Sequence, residues 1–340
     1  MKTVILFFLV AVNTICSQVT IEGFVIDNNQ LPLLGASVYI DGTTIGTTTD
    51  DKGYFILTVP STINSVIVIS YFGFITQYIP IESTQKKLNI ILSEEVKALK
   101  EIVVQQSPFS RKQMLQFFRE QFLGTNKAGS NCVIENEEEI YFDYDSKNFV
   151  FKAYSDKPLL ITNNYLSYKI NYQLVDFQCK FYKISLKTSD MLSSLYAGTS
   201  FFTAIENEKK FLKRRVASYQ GSSLHFFRNL VAKKWGKDEF VLFEGSFITN
   251  PDEHFVISKD KNNAFYRVDV TKQNKSLTKK GFVAEFSILY DNKEQSKISF
   301  FTDTFFVDRF GLFSNYNAIY FSGDITKRKI GDLLPSDYGL

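Results

Sequence analysis

Histidine is almost missing from this sequence: His225 and His254 are the only two in 340 residues. A catalytic zinc site of the two-His, one-Glu kind keeps three protein ligands around an open position. His225 is followed by Phe226, Phe227 and Arg228, so the His-x-x-Glu pair that would build one is absent. Long apolar runs are missing too. Val4–Val12 (VILFFLVAV) is uninterrupted but short, and a spanning helix needs about 20 apolar residues. No later segment is apolar enough to cross a bilayer as a helix. Nor does charge of one sign dominate: Lys+Arg number 39 and Asp+Glu 36. Residues 1–104 carry 6 basic and 9 acidic side chains, and residues 105–340 carry 33 and 27. That imbalance falls short of the basic footprint of a nucleic-acid binder, so no nucleic-acid partner is expected.

What is present begins with a leader. Lys2 supplies a short positive region, Val4–Val12 an apolar core, and Ser17 a small residue before cleavage. This is the layout of a secretory signal peptide over residues 1–17. A lipoprotein reading would acylate Cys16, but Asn13, Thr14 and Ile15 lack the small residue expected before such a cysteine. The aromatic fraction is 16%, with 34 Phe and 18 Tyr, which favours β structure. A length of 340 residues suggests two or three domains. Of the three cysteines, Cys16 leaves with the leader. In an oxidising compartment Cys132 and Cys179 either pair or stay as two separate buried thiols; spacing alone does not decide.

Residues 18–92 read as a compact β module. Val19 to Gly23 begins an alternating run, and Ala36, Val38 and Ile40, then Phe55, Leu57 and Val59, repeat the pattern. Val66, Val68 and Ser70 share one face, Ile67, Ile69 and Tyr71 the other, and Leu88, Ile90 and Leu92 close the set. Period-two runs of this kind mark half-buried strands. Asp27-Asn28-Asn29, Asp41-Gly42-Thr43 and Asp50-Asp51-Lys52-Gly53 supply the turn residues between them. The expectation is a seven-stranded antiparallel β-sandwich.

Several strings in this module carry a resemblance. They are Gly23 through Pro32, Gly35-Ala36-Ser37-Val38, Gly46-Thr47-Thr48-Thr49-Asp50, Gly53-Tyr54-Phe55 and Tyr71-Phe72-Gly73-Phe74. Together they resemble the carboxypeptidase regulatory-like domain, a transthyretin-like sandwich. In that family the domain follows metallocarboxypeptidase catalytic domains, and it also stands at the N-termini of nutrient transporters and other envelope proteins of Bacteroidetes. Leu99 to Val104 looks like the segment that follows it in those transporters. The resemblance implies a regulatory or structural module without zinc ligands. It does not bring a catalytic domain, since the zinc motif is missing. It does not bring a transporter barrel either. About 22 strands of about 10 residues would use nearly all of residues 105–340 and leave no plug or loops.

After a linker at 93–107, residues 108–340 read as an aromatic-rich α+β domain. Met114, Leu115, Phe117, Phe118 and Phe122 lie on one face of a helix over Phe109–Leu123, with Ser107 and Ser110 near its cap and Gly124 as its stop. Strands follow near 141–144, 149–151 and 165–182. One long helix is expected from Glu206 to Trp235, and strands return near 240–243, 255–257, 265–270, 282–290, 298–301 and 318–321. Mixed elements in this order make the class mainly β with an α+β second region. Tyr219-Gln220-Gly221-Ser222, His225-Phe226 and Arg228 resemble a motif in Bacteroidetes exported proteins that carry the same module. So does the tail, Ser322-Gly323-Asp324, Arg328 and Leu333 to Tyr338. That resemblance implies a shared two-part architecture and no chemistry.

Three constellations are candidate sites. Ser222 with His225 pairs a hydroxyl with an imidazole three residues away, but the Gly-x-Ser-x-Gly elbow fails because Leu224 stands where the second Gly belongs. The basic run Lys209, Lys210, Lys213, Arg214 and Arg215 suits anionic headgroups or an acidic partner, or forms a solvated helix face paired with Glu206 and Glu208. The acidic group Glu135, Glu137, Glu138, Glu139, Asp143 and Asp145 suits a hard cation, or lines the wet face of a strand. No cofactor or metal is expected. The function expected is that of an exported, non-enzymatic envelope protein of the periplasm, docking a protein partner of the envelope or an outer-membrane assembly. Lys209, Lys210, Lys213, Arg214, Arg215, His225 and Arg228 are the expected contacts. The competing expectation is a periplasmic hydrolase acting through Ser222 and His225.

Overall fold

The computed structural model describes residues 18–60, 66–71, 73–81, 87–95, 107–259, 265–273 and 281–340. The expected leader, Cys16, and residues 99–104 of the linker lie outside them. Seven strands build the first module: β1 (Gln18–Asp27), β2 (Ser37–Ile40), β3 (Gly46–Thr48), β4 (Tyr54–Pro60), β5 (Val66–Ser70), β6 (Gln77–Pro80) and β7 (Lys87–Leu92). They form two sheets, β4-β1-β7 and β3-β2-β5-β6. The alternation does what it predicts. Ile21, Val25, Val38, Ile40, Phe55 and Leu57 point between the sheets and are buried.

One pairing departs from the expected antiparallel arrangement: β7 runs parallel to β1. A hairpin forces antiparallel neighbours, whereas a strand that arrives by crossing from another sheet is free to run either way. β7 follows β6 of the opposite sheet, so no hairpin sets its direction.

Residues 108–340 contain two apolar cores. The first surrounds helix α1 (Arg111–Phe122). Its N-terminus carries a capping box in which the Ser110 hydroxyl accepts from the Gln113 N–H and the Ser110 N–H donates to the Gln113 amide oxygen. Gly124, at φ +98, ends it. The strands are β8 (Cys132–Ile134), β9 (Ile140–Asp145), β10 (Val150–Ser155), β11 (Leu159–Asn163), β12 (Tyr168–Phe181) and β13 (Met191–Ala204). They run β8-β11-β12-β10-β9, and β13 pairs along the length of β12. The helix lays Phe117, Phe118 and Phe122 on this sheet, and Phe118 packs its ring 4.8 Å from that of Phe177.

The second core lies under helices and two further sheets. In place of the single expected helix there are two, α2 (Lys209–Tyr219) and α3 (Ser223–Ala232). Gly221 separates them at φ +72, a conformation that an L side chain rarely adopts. Ser222 then starts α3 as its N-cap. The remaining strands are β14 (Phe240–Glu244), β15 (Phe247–Ile248), β16 (Phe255–Lys259), β17 (Phe265–Val270), β18 (Ala284–Tyr290), β19 (Glu294–Phe300), β20 (Thr304–Asp308) and β21 (Ile319–Gly323). Their sheets are β15-β14-β18-β19-β21 and β16-β17-β20, and Phe226, Phe227 and Leu230 of α3 are buried against them. No sheet among the described residues exceeds six strands, so no large transporter barrel is built here. Among the described residues, no helix is long and apolar enough to cross a membrane.

Candidate functional site

The α2–α3 corner and the C-terminal tail, which the sequence singles out separately, meet in space. Arg228 on α3 donates Nε to the Phe310 carbonyl at 2.8 Å, Nη1 to that of Tyr338 at 2.8 Å and Nη2 to that of Ser336 at 2.7 Å. Its guanidinium also lies over the Tyr219 ring, 5.3 Å from the centroid. Arg328 of the tail grips the Glu294 carboxylate with two nitrogens and the Gln220 carbonyl with one, at 2.6 Å. Ser218 donates to Asp332 at 2.9 Å, and Asn126 binds the other oxygen of the same carboxylate at 2.6 Å. Five fixed guanidinium donors suit Arg for holding several carbonyls at once. Arg228 is therefore spent on this chain's own backbone rather than offered to a partner.

Ser222 and His225 do not form a nucleophile–base pair in this geometry. The Ser222 hydroxyl accepts the backbone N–H of His225 at 3.1 Å as a helix cap. The imidazole accepts the Gly221 N–H at Nδ1, at 3.2 Å, and places Nε2 3.0 Å from the Glu239 carboxylate. Nδ1 is thus an unprotonated acceptor and Nε2 the donor, which is the neutral ring. Burial favours that form and pushes the histidine pKa down, while the Glu239 charge pulls the other way. Asn229 donates to the same Glu239 at 2.7 Å. His254 sits apart, with Nε2 2.6 Å from the Thr249 hydroxyl.

The basic run splits. Arg215 is only 3% exposed. It donates to the carbonyls of Leu166, Ser167 and Glu206 and to the Asn207 side chain, over the Tyr168 ring. It too is structural and unavailable for the expected partner contact. Arg214 binds the Tyr165 carbonyl, and Lys210 pairs with Glu208. Lys209 and Lys213 are exposed. In the acidic group, Glu137 pairs with Arg119, Glu139 with Lys157, and Glu135 accepts from Thr162. No cluster of metal-ligating side chains occurs among the described residues.

The two cysteines are free thiols. Cys132 lies opposite Asn163, which pairs in turn with Tyr168 at the start of β12. Cys179 is near the other end of β12 and donates to Ser194. A disulfide needs Cα atoms within about 7 Å, and the sheet separates these two. Burial pushes the Cys132 thiol up to about 12 and the Cys179 thiol up to about 11.

The sequence does not flag how the sandwich is fastened. The turn after β2 reaches the strand β13. Asp41 accepts the Ser200 N–H at 2.9 Å, Gly42 donates to the Ser200 carbonyl at 2.7 Å, and Phe202 donates to the Thr43 carbonyl at 3.0 Å. Ser336 N–H reaches the Gly42 carbonyl at 2.6 Å, and Thr44 donates to Asp337 at 2.6 Å. Tyr39 packs its ring 5.2 Å from that of Phe201. Phe310, 2% exposed, belongs to the sandwich's own core although it lies far along the chain. Its turn is shaped by Asp308, whose carboxylate accepts from Phe310 and Leu312. The result is a three-way joint between the sandwich, the α1 sheet and the α3 region.

Comparison with known proteins bears on the first module. Over 94 residues the chain is 34% identical to the TonB-dependent receptor SusC of Bacteroides thetaiotaomicron, a match covering 28% of this chain and 9% of that protein. It is 36% identical over 101 residues to the TonB-dependent receptor P39 of Formosa agariphila, covering 29% of this chain and 9% of the relative. The chain thus spans about a tenth of the curated relatives it matches. Among solved structures, a type II cohesin–X-dockerin complex from Acetivibrio cellulolyticus is similar at 22% identity. That likeness covers 22% of this chain and 58% of the other, with a TM-score of 0.20. The family match spans the strands described above: residues 21–104 are a CarboxypepD_reg-like domain.

Proposed function

We propose that this chain is an exported, non-enzymatic envelope protein in which the CarboxypepD_reg-like sandwich and the aromatic-rich α+β region act as one interaction scaffold. It works in the periplasm against an outer-membrane assembly. The observation that carries this reading is the three-way joint. Phe310 completes the sandwich core, and Arg228 ties that residue's carbonyl to the tail that binds Gly42 and Thr44. A module fastened in this way presents a composite surface instead of swinging on a tether. The motif residues that looked chemical are used up in capping and carbonyl binding, which supports a structural role for them. The likeness of the sandwich to part of TonB-dependent receptors supports an envelope setting.

Cross-linking in whole cells followed by membrane fractionation tests the proposal. The expected result is recovery of the chain with the membrane fraction in a defined complex. Recovery only as a single uncomplexed protein, free of membranes, would overturn it. A serine-directed probe that labels the wild type but not Ser222→Ala would overturn the non-enzymatic part.

A further inference from the structure

Helix α2 is pinned along its inner face and bare along its outer one. Phe211, Arg215 and Ser218 are buried. Arg214 and Arg215 spend guanidinium donors on the carbonyls of Tyr165, Leu166, Ser167 and Glu206. At about 100° per residue, Leu212, Val216, Lys209 and Lys213 share an arc of about 100° that points away from those buried residues. Residues four apart stack along a helix, so Leu212–Val216 and Lys209–Lys213 make two rows side by side. All four side chains are exposed, and Leu212 and Val216 are each open by 45%. Neither Lys209 nor Lys213 has a carboxylate or hydrogen-bond partner among the described residues. Just before the helix, Ile205 is a further exposed aliphatic residue.

We propose that this face of α2 rests on an anionic phospholipid surface, with the aliphatic row at the boundary between headgroups and acyl chains and the lysine row on the phosphates. The charge is complementary. Residues 205–217 hold five basic and two acidic side chains, and Glu208 is taken by Lys210. The type of cation points the same way. A carboxylate or phosphate held in fixed geometry favours the planar arginine fork, whereas a fluid layer of headgroups needs only point charges on flexible stems. Here the free cations are lysines, and both arginines of the helix are engaged with backbone carbonyls. A lysine stem is long enough to keep its ammonium among the headgroups while an aliphatic neighbour sits deeper. Two aliphatic side chains and a few charges give a weak, reversible contact. The inference rests on the scaffold reading and names the surface on which the scaffold sits.

Co-sedimentation of the purified chain with vesicles of equal parts phosphatidylglycerol and phosphatidylcholine, and with vesicles of phosphatidylcholine alone, tests the proposal. The chain is expected to pellet with the anionic vesicles only, and less so as salt rises. Lys209→Gln with Lys213→Gln lowers the partition coefficient by about 25-fold, at about fivefold per lysine. Leu212→Ser with Val216→Ser lowers it by about tenfold. Lys147→Gln with Lys180→Gln makes the same charge change at exposed positions of the α1 sheet and lowers it by less than about twofold. Circular dichroism and melting temperature stay at wild-type values in all three, which separates lost binding from lost folding. Equal binding to both kinds of vesicle, binding to neither, or equal losses from the two lysine pairs would overturn the proposal. So would binding to polyglutamate in preference to anionic vesicles, which would give the face to an acidic protein. A chain that ignores vesicles yet cross-links into a membrane complex removes the lipid contact alone; one that binds vesicles but never enters a complex removes the scaffold reading.

Discussion

Asp308 is 5% exposed, and burial pushes its carboxyl up to about 6 from an ordinary value of 3.8. The hydrogen bonds from Phe310, Leu312 and Gly311, and the Arg228 charge, all pull the other way and do not cancel burial. The folded protein therefore binds this proton more tightly than the unfolded chain. A raised folded-state pKa means that stability from this group is full below about pH 4 and is lost as pH rises through about 6. An offset of about two units at about 1.4 kcal/mol per unit makes the whole effect about 3 kcal/mol. Between pH 7.5 and pH 5 the recoverable share is about 1.4 kcal/mol. Asp308→Asn removes the charge, and the Asn carbonyl oxygen can accept from Phe310 and Leu312, which share one oxygen of the carboxylate. The assay is the melting temperature of wild type and variant from pH 7.5 to 5. For a cooperative unit of this size, 340 residues at about 2.1 cal/mol/K each, about 1.4 kcal/mol is about 2 °C. The variant is expected to melt at or above wild type at pH 7.5, and the gap closes by that amount towards pH 5. Contributions from Asp41 and His225 are shared by both proteins and drop out of the difference. A gap that stays constant across the range would refute the reasoning.

Other outcomes follow from the same joint. Arg228→Ala leaves three carbonyls without their donor and costs about 3–5 kcal/mol; Arg228→Lys recovers only part, and limited proteolysis of the C-terminal tail reports both. A Cβ at Gly46 would stand 2.5 Å from the Phe201 ring. Gly46→Ala is therefore expected to cost about 1–3 kcal/mol in chemical denaturation and to weaken the seam first. The Ser336 hydroxyl is buried with no hydrogen-bond partner among the described residues. Ser336→Ala is neutral or stabilising by up to about 1 kcal/mol, and a clear loss would mean the hydroxyl is satisfied in solution. Intact mass with and without reductant shows no shift of two hydrogens, and native alkylation of Cys132 and Cys179 is slow until the protein is unfolded.

Much of the first module was legible because its chemistry is local. Alternating side chains and Asp/Gly turns determine strands without reference to distant residues. The α1 helix was legible for the same reason, with Ser110 near its start and Gly124 at its stop. β13 was not. Its Ser, Gly, Thr and Ala residues range from buried Ser200 to exposed Thr203 without a clear alternation, and its strand state comes from pairing along β12. The long helix was over-read because the apolar period continues across Gly221, while the break comes from that residue's positive φ and the Ser222 cap. Ser222 and His225 carried the right atoms for catalysis, but roles depend on direction, and the corner turns each towards another partner.

Residue order by itself determined the scarcity of zinc ligands, the β-sandwich and the aromatic cores, because composition and short-range period act over a few residues. Only the tertiary structure decided what Arg215, Arg228 and Arg328 do. Each is a charge in the sequence, and each becomes a fastener through carbonyls or carboxylates from other segments of the chain. The joint that places Phe310 in the sandwich core exists because segments distant in sequence come together. No local pattern encodes that meeting, since its free energy resides in contacts made only after the chain has closed on itself.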